Sequence, residues 1–173
     1  MQDERTHQDR LKRNAPASGL AGILQTKEAE AEAGEAACAA FGYLRGIRDT
    51  GASVEFRLRD GTSMFFPYSS LGPWQYHPSD GLLLTFSGSV TYLVLIRGSN
   101  LGKPLKEGSI DLIHAGLQRH RVIWVREMTE EEIQDIGDNG PAIDSIEVAE
   151  FDSQKAVKDW VRNKAPAFVR GEQ

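Results

Sequence analysis

The sequence predicts an α+β fold: a strongly bent antiparallel sheet or small barrel of about five strands, an N-terminal helix packed on it, and short C-terminal helices. Three observations predict it. Residues 53–98 read as two successive β-hairpins and hold most of the large apolar side chains. Residues 27–44 are dominated by Ala and Glu, both strong helix formers. Thr129 with Glu132 three residues later forms a capping box, the signature of a helix start near the C-terminal end.

In chain order, residues 1–26 form a charged, Gln-rich arm without periodicity, expected to be disordered. Leu20, Ile23 and Leu24 are a short apolar patch within it. The helix over 27–44 has an exposed first half. Its second half sets Ala37, Ala40, Phe41 and Leu44 on one face at i, i+3, i+4, i+7 spacing. Gly34 and Gly42 each weaken it by about 1 kcal/mol against Ala.

In the first hairpin, Val54, Phe56 and Leu58 alternate with Glu55, Arg57 and Arg59, the period of a half-buried strand. Asp60-Gly61 supplies the two residues that tolerate positive φ in a tight primed turn. Met64, Phe65 and Phe66 return, and Pro67, having no N–H, ends that strand or lies on an edge. In the second hairpin Val90, Tyr92, Val94 and Ile96 share one face, and Leu93 and Leu95 the other. A strand apolar on both faces belongs mid-sheet under cover. Between the hairpins, residues 69–80 carry two prolines beside Trp74, Tyr76 and His77. Aromatics in a loop on a rigid scaffold are candidates for a contact surface. The plainer alternative is that Trp74 and Tyr76 fold back and cap the core.

Beyond Gly98, residues 110–120 read as a short helix and 121–126 as a fifth strand, β-branched and aromatic. A short helix through Ile133 and Ile136, a short strand with Ile146 and Val148, and a last helix capped by Asp152 complete the chain. Trp160 on that helix is either a lid on the core or a partner contact. Three segments result: the arm 1–26, a helix-plus-sheet domain 27–128, and an acidic linker with a strand and helix extension, 129–173.

Composition bounds function. The 173 residues are 40% hydrophobic with a net charge of −5, and residues 127–152 hold ten acids and no Lys or Arg. A mildly basic body therefore carries an acidic segment, which argues against a general nucleic-acid coat. Cys38 is alone, so neither an intrachain disulfide nor a Cys-based zinc site is expected. There is no secretory h-region and no apolar run long enough to span a bilayer, so a cytoplasmic chain is expected, with no membrane partner. His7, His77, His114 and His120 have no ligand spacing, and no phosphate-binding, nucleophile-elbow or zinc-protease motif is present. The expectation is no metal, no cofactor and no catalytic residues. A non-enzymatic binding or assembly module, acting on a protein partner or on itself, is the first reading. A small enzyme or ligand carrier with a pocket rimmed by Trp74–His77 is another.

An N-terminal helix, an opening strand that ends in Arg59-Asp60-Gly61 and a later strand that ends in Ile96-Arg97-Gly98 resemble the Sm-like small-barrel family, over about residues 37–101. The resemblance implies a closed small barrel, assembly into an RNA-binding ring, and a pore faced by Arg97 and by residues near Arg59 and Asp60. The Pro- and Trp-rich loop, and the about twenty residues between Gly98 and the next strand, have no counterpart in the family's pattern.

Overall fold

The computed structural model describes residues 34–106 and 109–169, and the elements below belong to one compact unit, Glu35–Gln173. In chain order the strands are β1 (Glu35–Ala37), β2 (Phe41–Leu44), β3 (Ser53–Arg57), β4 (Ser63–Pro67), β5 (Gln75–His77), β6 (Gly81–Ser87), β7 (Thr91–Ser99), β8 (Val122–Arg126) and β9 (Ala142–Phe151). Helix α1 (Glu130–Ile136) precedes β9 and helix α2 (Gln154–Lys164) follows it.

The strands form two sheets, ordered β1-β2-β8-β3-β4 and β5-β6-β7-β9, and among the described residues neither closes into a barrel. This corrects the expected single bent sheet or barrel of about five strands. The two hairpins do not curl into one sheet because each has its own buried face to cover. Val54, Phe56 and Phe66 of the first sheet meet Leu82, Leu84, Phe86, Val94 and Ile96 of the second in one buried cluster. Facing sheets bury both sets at once.

The predicted N-terminal helix is also corrected. Residues 27–33 lie outside the described residues, and 35–44 form the β1–β2 hairpin, with Glu35 opposite Leu44 and Ala37 opposite Gly42. The apolar spacing 37, 40, 41, 44 satisfies a helix, but Phe41 and Tyr43 also satisfy a strand. Pairing with β8 decides between them, setting Phe41 against Val125 and Gly42 against Trp124. Gly42 is required there: a Cβ would run into the Trp124 indole lying over it. Tertiary contacts override helix propensity.

β8 lies parallel to β3, with Phe56 opposite Val125, and every other pairing is antiparallel. Residues 112–117 are a π-helical turn whose first amides are held by the buried Asp111 carboxylate. The capping box is present on α1. α2 is capped by Ser153, which accepts from the Ala156 N–H, and not by Asp152.

β7 is covered on both faces. Its second face, Leu93 and Leu95 with Leu83, packs under Val157, Trp160 and Val161 of α2. The layers run sheet, sheet, helix. β9 runs along β7 from Thr91–Phe151 to Ser99–Ala142, so the acidic stretch supplies a full-length strand of this sheet.

Candidate functional site

β4 is the last strand of its sheet. The bonds Leu58 N–H to Thr62 C=O and Tyr68 N–H to Ala52 C=O bracket the β3–β4 ladder. In an antiparallel ladder bonded pairs alternate, so Met64 and Phe66 bond to β3. Ser63, Phe65 and Pro67 therefore turn their main-chain groups away from the sheet. Pro67 sits where a missing N–H would have faced outward, the one place a strand tolerates it. The Phe65 side chain stands on the outer sheet face, 65% exposed, while Phe66 points inward and is buried.

Beside this edge the sandwich is open. A groove of about 580 Å³ lies between β4 and the tip of the β6–β7 hairpin. Its floor is aromatic: Phe66 stacks on Phe86 at 4.6 Å and meets Tyr92 edge-on at 5.3 Å, and Phe56 backs both phenylalanines. The described residues lining it carry no formal charge, although 26% of the chain is charged. The Tyr92 hydroxyl is bonded to Glu150, which raises its pKa and keeps it neutral. No His, Cys or acid is among the described lining residues, so its serines have no base beside them. Such a surface can bind apolar chain; it holds no group set for acid–base or nucleophilic work.

The residues singled out from sequence do not converge. Trp74 is half-buried against the main core. Tyr76, on the edge strand β5, is 42% exposed. His77 meets Phe168 edge-on at 6.4 Å, and its Nδ1 accepts from the Ser79 N–H. Trp160 packs on the α2 face of the second sheet, edge-on to Phe151 at 5.9 Å. Arg97 donates to Glu147 Oε1 at 2.5 Å and to the Lys164 carbonyl at 2.7 Å. Arg59 donates to the Asp144 carbonyl at 2.8 Å, and its own N–H is held by Glu127. Both arginines tie β9 to its surroundings.

No family model, curated protein or solved structure matches this chain.

Among the described residues no group of three or more His, Cys, Asp or Glu could hold a metal ion, and no helix is long and apolar enough to cross a membrane. The β4 groove was missed in the sequence. Its signal is the run Met64-Phe65-Phe66 before Pro67: three apolar residues in succession on a strand whose Pro places it at an edge, so one must face outward.

The ties around Arg97 give a pH dependence. Partial burial pushes the Glu147 carboxyl up, but hydrogen bonds and charge from Lys164 and Arg97 outweigh it, and its pKa lies below the ordinary value. A depressed carboxylate stabilises the fold above its unfolded pKa, about 4.3, and that contribution is lost as pH falls through the folded value. Glu147→Gln is therefore expected to unfold at lower temperature than wild type near neutrality. The gap should shrink below about pH 4. Thermal unfolding followed by circular dichroism against pH checks this; a gap that stays constant into acid would contradict it.

Proposed function

We propose that this chain is a non-enzymatic protein-binding module whose working surface is the β4 edge and the groove beside it. One observation carries the reading. The outward main-chain groups of Phe65 adjoin an uncharged groove floored by Phe66, Phe86 and Tyr92. An extended segment laid along β4 gains main-chain bonds from the edge, and every second side chain enters the groove. The five-residue length of β4 and Pro67 at its end keep the edge from templating long sheets. Affinity then rests on Phe65 and the groove, not on charge.

Selection of random peptides displayed on phage against the full chain tests this. Enriched sequences are expected to be uncharged, with apolar residues at alternate positions. Phe65→Lys should weaken their binding at least about tenfold, the 1.4 kcal/mol equivalent of losing one anchor. Tyr76→Ala, on the other sheet, should leave it unchanged. Failure to enrich any sequence, or equal binding to Phe65→Lys, would overturn the reading.

A further inference from the structure

We infer that the segment laid on β4 is β4 of a second copy of this chain, paired antiparallel about a two-fold axis through Phe65. The inference rests on the reading of the β4 edge given above, and three observations commit it to a self-partner.

The first is the ladder. The outward set on β4 is Ser63, Phe65 and Pro67, fixed by the bracketing bonds of Leu58 and Tyr68. With the axis at Phe65, that residue exchanges both main-chain bonds with the partner's Phe65. At each end Ser63 donates to the carbonyl of the partner's Pro67. The missing Pro67 N–H costs one bond per end and no more.

The second is the side chains. In this register Phe65 meets the partner's Phe65 on the outer face. Met64 meets the partner's Phe66 on the groove side, at the closer-spaced positions of the ladder. Apolar then faces apolar at all three central positions, and thioether meets ring. Sliding one step toward the Asp60-Gly61 turn sets Phe65 against Ser63. Sliding the other way sets Phe65 against Pro67, which has no N–H. A two-fold contact must be self-complementary, and the sequence Ser-Met-Phe-Phe-Pro is so in one register.

The third is charge and area. A chain of net charge −5 repels its own copies, yet neither β4 nor the described lining of the groove carries a charge. The contact is thus free of the like-charge opposition that other faces would meet. A five-residue edge with one exposed aromatic buries far less than the ~800 Å² per partner of a standard interface. The dimer is accordingly weak and concentration-dependent.

Sedimentation velocity over a concentration series reads it. Wild type should move from monomer to dimer with a midpoint of roughly 0.01–1 mM. Phe65→Lys should remain monomeric while keeping its unfolding temperature. In a Cys38→Ala background, Phe65→Cys should form an intermolecular disulfide under mild oxidation, because the paired Cα atoms lie about 5.5 Å apart. Ser63→Cys should not, since its counterpart lies across the axis at the far end of the strand. A wild type still monomeric at about 1 mM, a dimer indifferent to Phe65→Lys, or cross-linking through Ser63→Cys instead would each overturn the inference. If the wild type is monomeric but selected peptides still bind in a Phe65-dependent way, self-pairing falls and the binding-module reading stands. If neither is seen, both fall.

Discussion

Phe86→Ala is expected to destabilise the fold by roughly 3–5 kcal/mol, the range for removing a fully buried aromatic. The side chain is 2% exposed and lies where the two sheets meet, stacked on Phe66 and edge-on to Phe56. Its neighbours come from β3 and β4 in the opposite sheet, so the loss falls on the contact that holds the layers together. Local collapse cannot fill the space, because both flanking rings are anchored by their own strands. The unfolding midpoint should drop by on the order of 10 °C for a chain of this size. Phe65→Ala, next to Phe66 on β4 but on its exposed face, should change stability by less than about 0.5 kcal/mol. Denaturant unfolding of the two variants checks the pair; equal costs would mean that the two-sheet core is wrongly placed.

That pair also shows where the sequence was legible. The alternation of Val54 and Phe56 with Glu55 and Arg57 depends only on a strand having one wet face, and β3 has one. The two-sided apolar pattern of β7 requires cover on both faces, and the opposing sheet and α2 provide it. Local chemistry was legible in part. Thr129 with Glu132 caps α1 within a few residues. Asp60-Gly61 marks the turn, but the loop is the three residues 59–61, closed by the Leu58 N–H to the Thr62 carbonyl. Positive φ falls at Gly61 and not at Asp60, in place of a two-residue primed turn. The Glu132 carboxyl, held by Arg126 and the Thr129 N–H, is lowered to about 2.

What depends on distant pairing was not legible. Residues 35–44 carry helix-forming Ala and Glu, and only the arrival of β8, some eighty residues later, makes a strand of Phe41 and Tyr43. The number of sheets has the same origin. Both hairpins fit one curled sheet as well as two facing ones, until β8 inserts beside β3 and β9 beside β7. The site followed the sheets. Trp74 and Trp160 stood out because they are large, and they pack against the two cores. Phe65 was hidden within an apolar run, and only its place on an edge strand exposes it.

Gly81→Ala is expected to cost at least about 2 kcal/mol, although it adds a single methyl group. Gly81 opens β6 at φ +95°, a conformation that residues with a Cβ rarely adopt. A Cβ there would also run into the Ile96 carbonyl and come within 3.2 Å of the Arg97 Cα. Both are backbone atoms of β7, mid-sheet between β6 and β9, so neither can move without disturbing two ladders. Relief by rotation of Gly81 would swing the Pro78–Asp80 turn. The Asp80 carboxylate that caps the residues after α2, through the Ala167 N–H at 2.7 Å, would be pulled from its place. The loss should therefore appear twice: as a lower unfolding temperature, and as faster amide exchange at Ala167 and Phe168 under conditions where the rest of the sheet stays protected. Gly61→Ala serves as the control. It shares the positive φ, at +91°, but nothing lies within 4 Å of its Cβ position. Its cost should be confined to the backbone conformation, about 1 kcal/mol, with no change in exchange near Ala167. Equal effects from the two substitutions would show that the approach of β6 to β7 is looser than the ladder requires.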